Sequence, residues 1–551
     1  MKTFDYIVIG SGSSGSALAH RLLEDGKNSV AVLENGGSDM GPLIQMPAAL
    51  SYPMNMKKYD WNYYSEPEPS LGNRKLKCPR GRVLGGSSSI NGMVYVRGNP
   101  GDYDYWSESG AKEWSYSNVL PYFKRMETSH GGEDDWRGSN GPLHVSRGSG
   151  KNPLNKALRS AIVEAGYKFT DDYNGSRQEG FAVGDMTVWK GSRWSSYRAY
   201  LKPILSNRNL KIFKNVLVDK IIFSNKSAKG VSYYKGNKVK EIFANKEVIC
   251  CAGSIGSPQI LQRSGIGSSE HLKKLDIPVL ADRPGVGANL QDHLEVYFQL
   301  KCKQKVTLYS HLNIFSKALI GLRWLLFKTG LGSTNHFETL GFIRSRAGVE
   351  YPDIQFHLLP LAMNYDGTSP FKGHGFQFHV GPMRSASRGH VNIKSKDPKD
   401  HPEIVFNYMS KDDDWRDFRN CIRLSREILS QPGFKDFLEE EIQPGVNVES
   451  DEEIDEFIKN NAESAYHPCG TLKMGDINDP MAVVTSDCKV IGVDNLRVAD
   501  SSVFPRITNG NLNGPCIMVG EKAADHILGK PLLSKSNQVP FKSENWNESH
   551  R

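Results

Sequence analysis

The chain has 551 residues, of which 38% are hydrophobic and 24% are charged, and its formal net charge is +8. This composition is ordinary for a globular protein with real hydrophobic cores, and the length predicts more than one domain. The positive charge is spread along the chain without long runs of like charge, which argues against a nucleic-acid-binding protein. The longest apolar stretch, residues 318–327, is interrupted by Arg323 and is too short to span a bilayer.

The eight cysteines lie at positions 78, 250, 251, 302, 421, 469, 488 and 516, and none forms a CxxC or CxxxxC pair. Their spacing favours neither a zinc site nor a redox disulfide, and we expect no bound metal. Few cysteines in a long chain are typical of a reducing compartment. The first predicted strand begins almost at Met1, which favours a protein without a signal peptide. We expect a cytoplasmic protein that is at most peripheral on the inner face of the cell membrane.

The N-terminal segment predicts a dinucleotide-binding unit. Residues 6–9 form an apolar run typical of a buried parallel strand, followed by glycines spaced GxGxxG, a helical pattern and a second strand over 29–33. In such a unit the glycines allow a tight turn, close approach of a pyrophosphate and close helix–strand packing. The helix N-terminus favours the anion, and an acid after the second strand can bind the adenosine ribose. The predicted binding residues are Gly10, Gly12, Ser13, Ser14, Gly15 and Glu34. This pattern alone does not distinguish NAD from FAD.

A second segment rich in glycine and serine spans residues 81–92 and leads into the apolar run 93–96. A flexible linker would not usually continue directly into a buried segment, so we favour a turn that contacts the cofactor. The segment before it, residues 41–73, is irregular and rich in proline and aromatic residues. Its length and composition are typical of a functional loop.

The remaining pattern predicts a return to the nucleotide sheet and a second region. A strand over 247–253 is followed by a helix with Pro258 in its first turn, as expected for a second parallel strand–turn–helix. Beyond residue 296, longer strands and a helix over 414–429 predict a substrate-side domain on an antiparallel sheet. The strands predicted for this domain are 354–358, 376–380 and 390–393. A strand over 495–500, a helix over 516–528 and a frayed polar tail follow.

One histidine near the C-terminus is a candidate for proton transfer. His467 precedes Pro468, which holds its backbone extended, so the ring can project from a loop. A single histidine is more often structural than catalytic. Asn511, in the segment Asn511-Leu512-Asn513-Gly514, supplies a second polar group further along the chain.

These separated motifs together resemble the glucose–methanol–choline (GMC) oxidoreductase family. Residues 81–91 and 253–267 match the two signature motifs of that family, and the segments around His467, Asn511 and 496–500 match it as well. The resemblance extends from residue 5 to about residue 528. Several stretches are closer to the bacterial choline dehydrogenase branch. These are residues 91–99, 290–295, 333–338 and 467–471.

The resemblance implies FAD as the cofactor and an α/β fold, with a Rossmann-like FAD-binding domain similar to that of glutathione reductase and an α+β substrate domain. The FAD-binding domain would comprise residues 1–153, 209–295 and 460–531, the substrate-binding domain 154–208 and 296–459, and the polar tail 532–551. Val218 would lie near the adenine and Asp500 near the ribityl chain. The other residues that the family pattern places beside FAD are Gly85, Gly86, Ser87, Asn91, Gly92, Met93, Val94, Ala252, Gly253, Ala499 and Asn511. Some relatives bind flavin covalently through a histidine where this chain has Ile90, so the resemblance implies non-covalent FAD.

The family mechanism assigns His467 and Asn511 to catalysis. Hydride transfer from an alcohol to flavin N5 requires removal of the hydroxyl proton, and an imidazole is available as a base near neutral pH. Asn511 would hold the same oxygen and stabilise the alkoxide.

The substrate implied by the resemblance is choline. Glu295 corresponds to a glutamate that pairs with a trimethylammonium group, and three aromatic residues correspond to a cage around it. These are Trp61, Phe315 and Tyr466. A quaternary ammonium has no N–H donors, so ring faces and a carboxylate are suited to hold it. Glu295 could instead be a solvated surface acid, and His357 could be either an active-site or a structural residue.

We therefore expect oxidation of choline to betaine aldehyde, followed by a second oxidation to glycine betaine. A dehydrogenase or oxidase of another primary alcohol, a hydroxynitrile lyase and a flavin-binding protein without turnover stay open as alternatives. A membrane electron acceptor is one expected partner, and the sequence does not indicate an oligomeric state. The segment containing Trp324 could be a basic amphipathic surface, but a lid or core helix is favoured.

Overall fold

The computed structural model describes residues 2–132, 134–364, 368 and 371–551. Its first sheet contains seven strands among these residues. From one edge they are Leu210–Lys214, Val30–Glu34, Thr3–Ile9, Lys238–Cys250, Ser227–Lys235 and Leu217–Ser224, with Leu496–Val498 also paired to Lys238–Cys250. The pairs on either side of Thr3–Ile9 are parallel, as is the pairing of Leu496–Val498. This sheet is the predicted nucleotide-binding sheet. The strands Lys238–Cys250 and Leu496–Val498 both belong to it, as the sequence predicted.

Two helices from opposite ends of the chain cover this sheet. Ser13–Leu23 follows the glycine turn, and Asn513–Leu528 packs against it. A side chain at Gly520 would come within 2.5 Å of the carbonyl oxygen of Ser14, so glycine allows the two helices to cross closely. This crossing brings the segment that precedes Asn513 to the glycine turn.

The second sheet also contains seven strands within the described ranges, and its pairings are antiparallel. From one edge they are Leu438–Gln443, Leu294–Cys302, Gly375–Pro382, Ile354–Leu359, Thr339–Ile343 and Gly180–Val183, with Glu463–Ser464 also paired to Leu294–Cys302. The helix Asp412–Leu429 packs on this sheet and buries Phe418, Ile422 and Ile428. The predicted fold class, an α/β nucleotide-binding domain and an α+β domain on an antiparallel sheet, is confirmed. The first sheet is mixed, because Ser227–Lys235 pairs antiparallel with both of its neighbours.

The smaller sheets account for one wrong prediction. The two-stranded sheets pair Tyr63–Tyr64 with Lys77–Cys78, Val188–Trp189 with Ser192–Arg193, and Ile266–Gly267 with Ala281–Asp282. In the three-stranded sheets, Leu143–Arg147 lies between Glu127–Ser129 and Asp185–Met186, and Gly389–Asn392 lies between Ala288–Leu290 and Glu403–Val405. The strand predicted over 390–393 was expected in the large antiparallel sheet, but Gly389–Asn392 belongs to the last of these small sheets. Strand periodicity indicates that a segment is extended, whereas its pairing partner depends on distant residues.

The other α-helices in the described part of the chain are Pro42–Gln45, Ser51–Met54, Pro100–Glu108, Tyr116–Met126, Pro153–Glu164, Gly253–Arg263, Ser269–Lys274, Ile314–Phe327 and Asp451–Asn461. None of the helices described is both long and apolar enough to cross a membrane. Residues 197–201, which were predicted in the substrate domain, pack in the hydrophobic core of the first sheet. The predicted boundary at 208 is therefore too coarse, and the remaining domain boundaries stay predictions.

The C-terminal tail differs from the frayed segment that was expected. It has no helix or strand, but its backbone bonds to the body of the protein at several points. Phe541 N donates to the carbonyl of Ser176, and the carbonyl of Trp546 accepts from Gly348 N. The guanidinium of Arg177 lies 4.0 Å from the ring centre of Phe541. The tail is polar, as predicted, yet it is held along the surface by main-chain hydrogen bonds that its composition does not reveal.

Candidate active site

One large cavity is lined by residues from both sheets. Gly10 follows the strand Thr3–Ile9 and Glu34 ends the strand Val30–Glu34, both in the first sheet. Glu295 and His357 lie on strands of the second sheet. Its empty volume, including solvent at the opening, is about 1970 Å³. The cavity is therefore open to solvent and is lined by residues of both sheets, so a ligand bound in it would contact both.

The three glycines of the first turn have separate structural roles. Gly10 has φ of +102°, and a Cβ there would overlap the carbonyl of Cys251. A Cβ at Gly15 would overlap the carbonyl of Gly10, so this glycine permits close helix–strand packing. A Cβ at Gly12 would meet no atom within 4 Å, and Gly12 lines the cavity. Gly12 also caps helix Ser13–Leu23 without a side-chain hydrogen bond, which leaves first-turn N–H groups for an anion.

Glu34 holds this turn in place. Its carboxylate accepts from the backbone N and the hydroxyl of Ser11, at 3.1 and 2.8 Å, and from the backbone N of Gly36, at 2.7 Å. Burial raises the pKa of Glu34 above its ordinary value, while these hydrogen bonds oppose that rise. Glu34 also lines the cavity. Its predicted contact with a ribose stays a prediction, because the hydrogen bonds seen here stabilise the protein turn.

The second glycine-rich turn packs directly on the first. Gly85 N donates to the carbonyl of Ser11 at 3.0 Å, and a Cβ at Gly86 would lie 2.8 Å from the Cα of Gly12. The buried guanidinium of Arg193 donates to the carbonyl and side-chain oxygens of Asn91, at 2.7 and 2.9 Å. Burial lowers the pKa of Arg193 to about 9. The two turns therefore form one rigid wall of the cavity.

Asp500 connects two segments of the cavity wall that are distant in the chain. Its carboxylate accepts from the backbone N of Gly253 at 2.8 Å and from the hydroxyl of Ser257 at 2.6 Å, and its other oxygen accepts from Ser502. Burial raises the pKa of Asp500, and the same hydrogen bonds oppose the rise. These bonds tie the returning strand and helix of the first sheet to the C-terminal segment at the cavity wall.

The hydrogen bonds around His467 determine which ring nitrogen carries a proton. His293 Nε2 lies 2.9 Å from the carbonyl oxygen of Met383, which can only accept, so that nitrogen is protonated. Burial lowers the pKa of His293 to about 3, so its ring is neutral and its Nδ1 accepts. His467 Nδ1 lies 3.0 Å from that acceptor and therefore carries the proton. The Nε2 of His467 therefore carries a lone pair and is an acceptor.

The side chain of Asn511 faces this lone pair. Asn511 Nδ2 lies 3.0 Å from His467 Nε2, and Gln355 Nε2 donates to Asn511 Oδ1 at 3.2 Å. Because His467 Nε2 is an acceptor, the NH₂ of Asn511 must face it, and Asn511 Oδ1 then faces Gln355. Burial, aided by the nearby His293, lowers the pKa of His467 well below its ordinary value. The ring is neutral at pH 7 and can accept a proton at Nε2.

The loop that carries His467 is held by Asp292. The backbone N of His467 donates to Asp292 Oδ1 at 2.6 Å. Asp292 Oδ2 accepts from the hydroxyls of Tyr408 and Ser464, at 2.6 and 2.5 Å. Burial raises the pKa of Asp292, while these three donors stabilise its charged form. The backbone of Tyr466, with φ of +65°, is further held by the guanidinium of Arg80, which donates to its carbonyl at 2.6 Å.

A second hydrogen-bond chain orients the carboxylate of Glu295. His379 Nδ1 lies 2.9 Å from Glu295 Oε1, and His379 Nε2 lies 2.7 Å from Gln377 Nε2. Met363 N donates to Gln377 Oε1 at 2.8 Å, so the amide nitrogen of Gln377 must face His379. His379 Nε2 therefore accepts, and Nδ1 carries the proton donated to Glu295. This hydrogen bond orients the Glu295 carboxylate, which lines the cavity.

Comparison with known proteins identifies the family. Models described as GMC oxidoreductase match residues 4–295 and 385–520. The chain belongs to the GMC oxidoreductase family. An "oxygen-dependent choline dehydrogenase" of Brucella ovis is 60% identical over 99% of this chain and all of that relative, and one of Sinorhizobium fredii is 57% identical with the same coverage.

Solved structures share the fold of this GMC oxidoreductase over nearly its whole length. Pyridoxine 4-oxidase from Mesorbium loti superposes with a TM-score of 0.86 at 28% identity, covering 96% of this chain and 99% of that one. A formate oxidase variant of Aspergillus oryzae, studied for FAD modification, has a TM-score of 0.90 at 27% identity, covering 96% and 98%.

Most residues that the sequence predicted for this GMC oxidoreductase site line the cavity. They are Gly10, Gly12, Ser13, Ser14, Glu34, Trp61, Gly86, Ser87, Asn91, Gly92, Met93, Val94, Val218, Ala252, Gly253, Glu295, His357, Tyr466, His467, Asp500 and Asn511. Gly15, Gly85 and Ala499 lie behind the wall, where the carbonyl of Ala499 accepts from the hydroxyl of Ser14. Their ligand contacts stay predictions, although the structure brings the residues together.

The prediction for Phe315 is wrong. It was predicted in the aromatic cage, but its side chain is 84% exposed on helix Ile314–Phe327. The aromatic residue that lines the cavity instead is Phe337, whose ring lies edge-on to His357 and His379 at centroid distances of 5.8 and 5.5 Å. The sequence signal for Phe337 was present in the family-like stretch 333–338, which was quoted without assigning this residue.

His357 presents a free polar atom in this part of the GMC oxidoreductase site. Its Nε2 is buried and has no hydrogen-bond partner among the residues that the structure describes. Burial lowers the pKa of His357 to about 4, so the ring is neutral at pH 7. A buried polar atom without a partner is costly unless a ligand or water satisfies it. This observation favours the active-site interpretation of His357.

Four polar residues of the site were missed by sequence reasoning: Asp292, His293, Gln355 and His379. Asp292 and His293 lie within the stretch 290–295 that resembles the choline dehydrogenase branch, so a signal for them existed. Gln355 and His379 lie on neighbouring strands of the antiparallel sheet. Alternating strand residues of this kind carry no local sign of which polar side chain faces a site.

Removing the Asp292 carboxylate should destabilise the loop that carries His467. Asp292→Ala leaves three buried donors without their acceptor, and each costs roughly 1–3 kcal/mol. We expect a loss of about 3 kcal/mol or more, seen as a lower apparent unfolding temperature. Asp292→Asn, which keeps one acceptor oxygen, should lose less. Asp413→Ala, at a side chain 63% exposed, serves as the control and should leave unfolding unchanged. An Asp292→Ala protein as stable as this control would contradict the role assigned to the carboxylate.

Proposed function

We propose that this GMC oxidoreductase uses FAD to oxidise choline to betaine aldehyde. The observation that carries the proposal is the presence in one cavity of the Glu295 carboxylate and the unprotonated Nε2 of His467. The first suits a permanent cation, and the second suits the proton of an alcohol. Relatives named choline dehydrogenase that are 56–60% identical over nearly the whole chain support the same substrate.

The cavity wall has the features that FAD binding requires. The open position at Gly12 and the uncapped helix N-terminus suit the pyrophosphate. Val218 would contact the adenine, Asp500 the ribityl chain, and the segment from Gly86 to Val94 the flavin ring. When bound, FAD supplies the acceptor for the hydride that leaves the substrate carbon.

The protein residues move and hold the proton. His467 Nε2 takes the proton of the substrate hydroxyl, because an alkoxide releases hydride more readily than a neutral alcohol. Asn511 Nδ2 donates to the same oxygen and stabilises its developing negative charge. His293 stays bonded to the other ring nitrogen of His467, so the ring keeps its orientation while the proton rests on Nε2.

The cation head of choline binds at Glu295. His379 Nδ1 directs its hydrogen to this carboxylate and orients it. Trp61, Tyr466 and Phe337 line the same cavity, and each ring face contributes roughly 0.5–2 kcal/mol to binding of a cation. We also propose that the hydrate of betaine aldehyde presents a hydroxyl to His467, which would allow the second oxidation to glycine betaine.

We propose a respiratory acceptor at the membrane as one electron acceptor, with the enzyme bound peripherally. The relatives are named "oxygen-dependent" choline dehydrogenases, which favours oxygen as a second candidate. Oxygen-electrode measurements with choline, repeated with added membranes and a soluble quinone, distinguish the two. Oxygen uptake as fast as quinone reduction would contradict a dedicated membrane acceptor.

The decisive experiment for the substrate is anaerobic reduction of the bound flavin by a panel of alcohols. Choline should bleach the flavin absorbance, whereas a neutral alcohol of the same shape should do so only at much higher concentration. Bleaching by the neutral alcohol without bleaching by choline would contradict the substrate assignment. A failure of every alcohol to bleach the flavin would contradict oxidoreductase activity.

We propose that FAD is bound without a covalent bond, because the buried Ile90 on the cavity wall has no nucleophilic atom. Acid precipitation of the holoenzyme should therefore release all yellow flavin into the supernatant. Flavin fluorescence that migrates with the chain on a denaturing gel would contradict this prediction.

A further inference from the structure

The helix Ile314–Phe327 turns an apolar face towards solvent. Phe315, Leu319, Leu322 and Leu326 follow one another at helical spacing, and their exposed fractions are 84%, 68%, 53% and 64%. Residues at this spacing lie on one face of a helix. The remaining exposed apolar side chains of the helix are Ile314, Leu325 and Phe327. A monomeric soluble protein rarely exposes an apolar patch of this kind.

The orientation of the helix is fixed by its opposite face. Trp324 is 2% exposed and is the buried residue of the helix. Its indole Nε1 donates to the carbonyl of Gly191 at 2.6 Å, and Lys328 Nζ lies 3.5 Å from the centre of its ring. A Cβ at Gly332 would lie 2.9 Å from the Cβ of Trp324, so the next turn packs tightly on the same residue. The helix is anchored with its apolar face outward, and the expected lid or core helix is therefore not what the structure shows.

The charged residues of the chain segment that contains this helix have one sign. Residues 303–337 contain no Asp or Glu. The basic residues in this range are Lys303, Lys305, Lys317, Arg323 and Lys328. Two copies of the chain that met through this face would bring these positive groups together, which is unfavourable. An anionic lipid surface instead offers both a counter-charge for the basic residues and an apolar layer for the exposed face.

We propose that the helix Ile314–Phe327 docks on an anionic lipid bilayer, with Phe315, Leu319, Leu322 and Leu326 buried at the boundary between headgroups and acyl chains. The exposed apolar side chains insert below the headgroups, and Lys317 and Arg323 contact the headgroups. Shallow insertion of this kind suits a helix too short to span the bilayer. Lipid binding by this surface does not depend on choline being the substrate.

The docking helix is connected to the wall of the active-site cavity. The helix is followed by the turn Gly330–Ser333 and then by Asn335, whose Nδ2 donates to the carbonyl of Gly92 at 2.8 Å. Gly92 and Phe337 line the cavity. Docking would therefore hold this side of the active site close to the membrane surface, where a lipid-soluble electron acceptor is concentrated.

Vesicle sedimentation of the holoenzyme tests the proposal. Vesicles of phosphatidylcholine with about one-third phosphatidylglycerol should bind the protein at low salt, and binding should weaken at high salt because the Lys and Arg contacts are screened. The double variant Leu319→Glu/Leu322→Glu should lose at least tenfold in partitioning. Val239→Glu, at a residue 57% exposed on the strand Lys238–Cys250, is the matched control and should bind like the unmodified protein.

Activity and oligomeric state complete the test. Choline oxidation with a soluble dye should be unchanged in the double variant, which shows that the fold and active site are intact. Failure of the unmodified protein to bind anionic vesicles at low salt overturns the proposal, as does equal binding by the double variant. A dimer that dissociates in the double variant, without vesicle binding by the unmodified protein, would assign the face to a second copy instead.

Discussion

Replacing His467 with Gln should slow the reduction of bound flavin by choline about 10²–10⁴-fold, the usual contribution of general base catalysis. The variant keeps a polar side chain of similar size but has no nitrogen lone pair that can take the hydroxyl proton. This loss corresponds to roughly 3–5 kcal/mol of transition-state stabilisation. Anaerobic stopped-flow measurement of flavin bleaching at saturating choline gives the rate directly.

The binding of FAD separates this effect from a loss of structure. His467→Gln protein should retain its yellow flavin and its apparent unfolding temperature, since the first glycine turn is untouched. His311→Gln, at an exposed position on the turn Leu308–His311, is the matched control and should reduce its flavin at the normal rate. A His467→Gln enzyme that bleaches within threefold of the control would exclude this residue as the base.

Asn511→Ala should lower the same rate by a smaller factor. The amide stabilises charge on the substrate oxygen, and removing a single donor of this type typically costs about 10²–10³ in rate. The bond from Gln355 to Asn511 Oδ1 at 3.2 Å indicates that Gln355 positions the amide rather than touching substrate.

The parts of the fold that could be predicted depend on neighbouring residues in the chain. The tasks of Gly10, Gly12 and Gly15 follow from a strand, a turn and a helix that are contiguous, and the structure gives each glycine the expected surroundings. The family motifs extended this local information to His467 and Asn511. Because both the turn and the motifs are short, they could be read without knowing the rest of the packing.

The parts that could not be predicted depend on contacts between distant residues. His293 reaches His467 across 174 positions, and His379 reaches Glu295 across 84. The protonated nitrogen of each ring is set by Met383 or Gln377, which no local pattern connects to the site. The tautomers that leave His467 Nε2 unprotonated and direct His379 Nδ1–H to Glu295 are therefore properties of the folded sheet.

Phe315 was predicted to lie at the site, but distant contacts place it on the surface. An aromatic residue in an apolar helix is usually buried, so its assignment to a cage agreed with composition as well as with the family pattern. The helix instead packs through Trp324 and leaves Phe315 exposed. Hydrophobic spacing predicted the helix and its apolar face, but it could not indicate whether protein or another phase covers that face.

Glu295→Gln should weaken choline binding about 10²-fold while hardly affecting a neutral isostere in which carbon replaces the quaternary nitrogen. The carboxylate is 7% exposed at its side chain, so its charge is poorly screened and its loss removes a strong attraction for the cation. Hydrogen bonds and contacts that involve a charged group contribute about 1.5–3 kcal/mol, which corresponds to this range of affinity. Titration of both ligands against the holoenzyme, followed by the flavin spectrum, measures the two dissociation constants.

The ratio of the two losses decides the role of Glu295. If the carboxylate pairs with the cation, the affinity for choline falls and that for the isostere does not, whereas a collapse of the pocket would weaken both equally. Glu350→Gln removes a surface carboxylate that pairs with Lys542 and is 48% exposed, so it controls for the change in net charge. His379→Gln can still donate an amide hydrogen to Glu295 and should retain most of the affinity for choline, because the hydrogen bond that orients the carboxylate is kept.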